Sequence, residues 1–532
     1  MKRSKKLIAL LMALVMIFSV PCVALAADGT EMIATVQNVL CKKVLDVFTT
    51  VINGVVTQMA KHIPDPAEWE TQSQEGFMEG TTEFLDAPAE DAQFSLGYDS
   101  RSILTDGIVG KMYVGGSISL SKKYATEIAD DLKVRTVALS DGSGRGISVF
   151  AEVDAYGLSL PDVREIRTRL ADYAKENNIN SITVAVLHQH SAVDTLGMNG
   201  DIIKMVLTNP VSSYFDKSLE NGKNDAYMEN LFDTCCESVK AAVSSMTQGK
   251  LYYSTADQSA YLSDKRAPYV SDENFNRFRF VPDNGTSETW LVSTEIHCVG
   301  NGAAGTVITG DYPYYAEQVI NEKAGANVFF FMGAQQSTTL NRNENTVVNY
   351  SEDMTRLESL AGFGQSIANT LMQITEEREV SPLLNIKYKE VLFPVDNGIL
   401  LLGCKVGLFE AYVEKKDGEY YVKTEIGYTE LGDEFAFAII PGELAPEIAY
   451  GGCLQEDSWS GETWDYPSLQ EIVSESGRTL KVLDLANDQI GYIVPDNNYI
   501  SMIAKESDSI ELVSLGERTA STLVKEFEAL VK

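Results

Sequence analysis

Residues 147–190 read ISVFAEVDAYGLSLPDVREIRTRLADYAKENNINSITVAVLHQH. Between two strand-like runs, ISVFAEVD and INSITVAVLH, lies a segment with helical spacing. Val163, Ile166, Leu170 and Ala174 share one face, and Pro161 sits in the first turn, where its missing N–H is no loss. Strand, helix, strand at this length predicts a βαβ unit with parallel strands, because the crossover returns the chain to the edge it left.

The same texture continues outward. VRTVALSDGSGRGISVF is two strand-like runs around a glycine-rich turn. TWLVSTEIH, the helix DYPYYAEQVINEKAG with Asp311 placed to cap it, and NVFFFMGA repeat the strand–helix–strand order. EFAFAII and RTLKVLDLAND supply further strands before a loop and a C-terminal helix. The predicted class is α/β: mixed, largely parallel sheet layers flanked by helices, with a metal site at the carboxyl ends of the strands.

Ligands in open parallel sheets gather at those carboxyl ends. His188 ends one predicted strand, His297 ends another, and Glu443 follows a third by three residues. Asp154 ends the strand before the His188 strand, and Tyr492 lies just past the last one. His188 and His190 are two apart, so their rings leave an extended backbone on the same side. One ring then suits a cation and its neighbour an acid–base role. The competing reading is a pair of ordinary hydrogen-bonded histidines; His62 reads as a surface residue. Glu443, after Pro-Gly, equally suits a helix cap, Arg266 an ion pair and Tyr499 the core.

Composition bounds the rest. The chain has 532 residues and a formal charge of −33. Such a charge excludes nucleic acid as a partner held by bulk electrostatics. Residues 1–26 join a basic start (Lys2, Arg3, Lys5, Lys6) to an apolar run and end in ALA, the pattern of a signal peptide cleaved near Ala26. The protein is therefore expected to be secreted or associated with the cell envelope. Residues 27–63 hold a long apolar helix of undetermined role, and 64–94 an acidic stretch rich in Gly, Pro and Ala that reads as a linker. Residues 95–532 read as the catalytic domain. Of seven cysteines, six would remain after cleavage (Cys41, Cys235, Cys236, Cys298, Cys404 and Cys453), an even number that permits disulfides, but no CxxC pair suggests a structural zinc site, and most read as small buried residues.

Five blocks in order resemble the neutral/alkaline ceramidases. HQHSAVDTLG is similar to that family's His-Thr-His-Ser signature, and EIHCVG with ITGDYPYYAEQVI resembles its second histidine block. IPGEL resembles its Pro-Gly-Glu block, NDQIGYIVPDNNY its late Asn-and-Tyr block, and DKRAPY the block with an active-site arginine. The resemblance implies a zinc-dependent amidohydrolase that splits a ceramide-like lipid amide into fatty acid and sphingoid base. It implies His188, His297, Glu443 and Tyr492 as zinc ligands. His190 would be the catalytic histidine, with Arg266 and Tyr499 orienting the amide. A lipid substrate also implies peripheral contact with a membrane surface. Oligomeric state and substrate-binding residues are not readable.

The departures bear on specificity. AVDT stands where the family has Gly-Pro-Gly, and MGAQQSTTL replaces its serine-bearing block, so Ser337 is a loose counterpart. Gln489 takes the place of the first tyrosine of the late block, and the chain leaves no length for the immunoglobulin-like C-terminal domain of well-known members. Two rivals stay open: an exported zinc amidase or esterase on another acylated substrate, and a non-catalytic surface protein retaining the fold. No G-x-S-x-G elbow supports a serine hydrolase; GQSIA at 364–368 is a distant echo.

Overall fold

The computed structural model describes residues 31–66, 69, 75–81, 83–116, 122–201, 205, 219, 221–302, 305–341 and 355–532, with 31–41 as backbone only. The proposed signal peptide, with Cys22, lies outside the described residues.

Strand β8 (Asn327–Met332) shows the architecture in miniature. Its sequence NVFFFM is apolar at every turn, and both faces are covered. Phe329 and Phe331 point into one core, Val328, Phe330 and Met332 into another. The first core lies between two sheets and the second lies under helices, so the fold stacks as helix, sheet, sheet, helix.

The larger sheet runs β8-β7-β6-β5-β1-β2-β3-β4. Its other members are β1 (Phe94–Ser102), β2 (Lys133–Ser140), β3 (Ile147–Val153), β4 (Ile179–Val186), β5 (Thr247–Asp257), β6 (Asn274–Pro282) and β7 (Thr289–Thr294). Helices α2 (Leu160–Arg169), α3 (Asp225–Ser244), α4 (Asp311–Ala324) and α5 (Arg356–Met372) cover its outer face. The second sheet runs β9-β11-β12-β13 with β10 against β11. These are β9 (Leu384–Pro394), β10 (Tyr412–Lys416), β11 (Glu419–Leu431), β12 (Phe435–Ile439) and β13 (Thr479–Leu483), covered by shorter helices and by the C-terminal helix α6 (Thr519–Val531).

The layers are mixed, as expected, but antiparallel pairing dominates them. Parallel pairs occur at β3/β4, β7/β8 and β12/β13. The expectation of largely parallel layers overweighted the crossover units, whose apolar runs read clearly. The intervening hairpins carry less of that signal.

Local rules hold where the sequence is explicit. α2 begins at Ser159, whose hydroxyl accepts from the Asp162 N–H while the Asp162 carboxylate returns to the Ser159 N–H, a capping box. Val163, Ile166 and Leu170 are fully buried beneath it. α4 starts at Asp311 itself, whose carboxylate accepts the Tyr312 N–H at 2.8 Å.

The segment read as a linker is pinned along β9. The Thr81 N–H donates to the Ile386 carbonyl at 2.7 Å, and Gly80 bridges Lys387. Helix α1 (Glu31–His62) rests on the second half of the chain through Val56 and Ala60. Asn53 donates to the Asp396 carbonyl (2.8 Å) and accepts from the Gly398 N–H (2.7 Å). Cys235, Cys236, Cys298, Cys404 and Cys453 are free thiols. Among the described residues no helix is long and apolar enough to cross a membrane.

Beneath β2, Arg135 is 1 % exposed and donates to Glu317 (2.5 Å), Asp154 (2.8 Å) and Glu152 (3.2 Å). Burial, opposed by Arg135, holds the Glu152 and Asp154 carboxyls above their usual range. Removing the cation would strand these acids in a dry interior. Arg135→Met is expected to cost about 3–5 kcal/mol in urea unfolding. Carboxyls raised in the folded state bind protons that the unfolded chain has released, so stability falls as pH rises through that interval. The deficit should therefore be larger at pH 8 than at pH 5.

Candidate metal centre

The carboxyl ends of the parallel strands meet at one rim. β4 ends two residues before His188, β7 leads to His297, β12 to Glu443 and β13 to Tyr492. β3 contributes Tyr156, and β8 runs into Gln335, Gln336 and Ser337.

His188 takes a left-handed backbone conformation (φ 55°), costly for a residue with a side chain and sustained here by its surroundings. Its Nδ1 lies 2.6 Å from the Tyr156 carbonyl, and its ring stacks on the Tyr156 ring at 4.4 Å between centroids. A carbonyl only accepts, so Nδ1 carries the proton and Nε2 keeps a free lone pair. That Nε2 is buried, has no hydrogen-bond partner, and lies 3.4 Å from Glu443 Oε2, which is likewise buried and unpartnered. Two orphaned acceptors this close in a dry interior call for a cation between them.

The other imidazoles close around the same point. His188, His190 and His297 hold nitrogens within 4.8 Å of one another. His297 Nε2 is 4.0 Å from Glu443 Oε2 and 2.7 Å from His190 Nε2. Burial first, then the neighbouring imidazoles, push His190 and His297 well below the usual histidine range, so both are neutral near pH 7 and able to donate lone pairs. The histidine loop is tied at both sides: the Gln189 N–H to the Ala155 carbonyl (3.0 Å) and the His190 N–H to the Cys298 carbonyl (3.1 Å).

Glu443 and Tyr492 face each other in a short parallel ladder. Burial, followed by the nearby Glu443 charge, holds the Tyr492 phenol well above its usual pKa. The ladder needs Gly491: its φ is +88°, and a Cβ there would lie 1.8 Å from the Val513 carbonyl oxygen.

In front of the histidines opens a cavity of about 640 Å³, which Tyr492 and Arg266 also line. Arg266 donates through Nη2 to the Asn498 carbonyl (2.6 Å) and Glu511 (2.7 Å), leaving its buried Nε and Nη1 without partners. Tyr499 stands elsewhere. Its hydroxyl donates to the Glu511 carbonyl at 3.0 Å and its ring lines a separate cavity beside α1, so it reaches the histidines only through Glu511 and Arg266. Asp154 is committed to Arg135 and to Gln189 Nε2 (3.0 Å) rather than to the centre. Asp194 accepts four consecutive N–H groups from Leu196 to Asn199, which makes it a loop organiser.

Sequence reasoning passed over Tyr156, Gln336 and Lys265. Tyr156 lies two residues beyond the strand end that the Asp154 reading had located, which was its available signal. Lys265 stood beside Arg266 in the quoted DKRAPY block, and Gln336 in MGAQQSTTL, without being singled out.

The donor set fits a divalent metal. Zinc bonds of about 2.0–2.1 Å place tetrahedral ligand atoms roughly 3.3 Å apart, close to the 3.4 Å between His188 Nε2 and Glu443 Oε2. The fold is similar to the crystal structure of neutral ceramidase from Pseudomonas aeruginosa, at a TM-score of 0.61 and 14% identity, covering 83% of this chain and 74% of that one. A ceramidase complexed with C2 matches at the same score and identity, over 83% and 75%. No family model and no curated protein matches the sequence. The chain thus has the neutral ceramidase fold.

If the ladder and the orphaned pair make the metal site, wild-type protein binds one zinc per chain by elemental analysis. Glu443→Gln should lower zinc affinity at least about tenfold. Gly491→Ala, which changes no donor, should lower both zinc content and stability, by about 1–3 kcal/mol for the forced backbone change.

Proposed function

We propose that the protein is a zinc-dependent hydrolase that cleaves the N-acyl amide of a ceramide-like lipid, releasing fatty acid and amine, and that it acts outside the cell after export through residues 1–26. The observation that carries the reading is the buried, unpartnered pair His188 Nε2 and Glu443 Oε2, 3.4 Å apart behind His190 and His297, which line an open cavity. The fold shared with ceramidases agrees with it.

His188, His297 and Glu443 would hold the metal, with Tyr492 beside Glu443. Zinc in that position acidifies a water and polarises the amide carbonyl. The chain's own groups supply the rest. His190 lies beside His297, with 2.7 Å between their Nε2 atoms, and lines the cavity next to the ligands, the place a proton carrier needs. Neutral in its buried setting, it accepts a proton from the nucleophilic water and returns it to the departing nitrogen. Arg266, its geometry fixed by Glu511, offers the N–H groups of two unpartnered nitrogens, Nε and Nη1, to the oxygen that gains charge. The closeness of the three imidazoles favours a second assignment, in which His190 is itself a ligand.

Zinc content and fatty-acid release from a short-chain ceramide test both. His188→Ala should lose metal and nearly all activity. His190→Ala should keep zinc while its rate falls about 10²–10⁴-fold; loss of zinc there would establish the second assignment. Metal-loaded wild type that cleaves neither amide nor ester would refute the hydrolase.

A further inference from the structure

The cavity wall is poorly matched to an uncharged lipid head. Lys265, Arg356, Glu506 and Asp508 line it, and none of their charged groups makes an ion pair among the described residues. Lys265 and Gln336 share that wall with His190 and His297.

The wall holds a surplus of donors. Gln336 is 4 % exposed and lines the cavity, yet neither its amide nitrogen nor its oxygen has a partner. An amide buried this far without a partner is costly unless a ligand completes it. Lys265 lines the same cavity from a neighbouring segment, its backbone N–H donating to the Ser337 carbonyl at 3.1 Å. Arg266 adds the N–H groups of its two unpartnered nitrogens. Its charge is already met by Glu511, which leaves Lys265 and Arg356 as the cations of this wall without an ion-pair partner among the described residues. Arg356 holds the Asn301 carbonyl through Nη1 at 2.9 Å.

We propose that Lys265 and Gln336 form a carboxylate-recognition subsite, and that the substrate is an N-acyl amino acid whose carboxylate lies next to the scissile amide. The inference rests on the reading of an N-acyl amide hydrolase and puts an amino acid in place of the sphingoid base as the amine half: the amide carbonyl meets Arg266 and the centre, while the carboxylate of the amine half meets the ammonium and the Gln336 N–H. A ceramide, uncharged at that position, leaves these donors unmatched and is the poorer substrate.

The test uses the zinc-loaded full chain with N-lauroylglycine, its methyl ester and a short-chain ceramide. Affinity is read by calorimetry and kcat/KM wherever turnover occurs. Wild type should prefer the acid over its methyl ester about 10–100-fold, the range of a charge-assisted hydrogen bond. Lys265→Gln should bring that ratio close to one with zinc content and circular dichroism unchanged, and Lys265→Arg should restore most of it. Gln336→Leu should lower it about tenfold. Equal affinity for acid and ester in wild type, or a ratio indifferent to Lys265→Gln, overturns the subsite. Cleavage of all three without discrimination leaves the hydrolase standing and removes this inference. Acid-selective binding without turnover does the reverse.

Discussion

A parallel strand pair can be closed only by a crossover that carries the chain back to its starting edge. That constraint governs this molecule more than any single contact. Three such pairs, two in one sheet and one in the other, deliver their carboxyl ends to one rim. Donors 255 and 146 residues apart in sequence, His188 and His297 against Glu443, thereby become neighbours at 3.4 and 4.0 Å. The antiparallel remainder fixes the distance between those pairs and buries the aromatic core between the sheets.

Rigidity at the rim comes from backbone groups more than from the donors themselves. The Tyr156 carbonyl selects the tautomer of His188, the Ala155 and Cys298 carbonyls hold its loop, and Gly491 lets the Tyr492 segment pass against Val513. Glu511 does comparable work for Arg266, receiving it together with the Ile500 N–H at 2.9 Å. The centre therefore combines a few exchangeable side chains with a frame that tolerates little change.

The legible parts of the sequence were those whose period or chemistry is local. The βαβ unit at 147–187, the capped start of α2 and the shared edge of His188, His297, Glu443 and Tyr492 all follow from spacing. Strand pairing was not legible, because an apolar run buried on both faces looks the same beside either kind of neighbour. Tyr499 was misplaced for a related reason: position in a motif does not say which side of a short turn a ring occupies. Here the 3₁₀ turn at Asp496–Asn498 separates it from Tyr492. The acidic stretch before β1 read as a linker because backbone pairing with β9 leaves no mark on side-chain pattern. Lys265 and Gln336 were silent, since an unpaired charge or amide becomes informative only once its surroundings are known to be closed.

Helix α1 carries a consequence for how the chain is made. Its anchors, the Asp396 carbonyl and the Gly398 N–H, lie more than 340 residues downstream of Asn53. This helix thus spends most of synthesis without its seat, with Val56 and Ala60 bare to water. Completion of the native state is tied to the final third of the polypeptide.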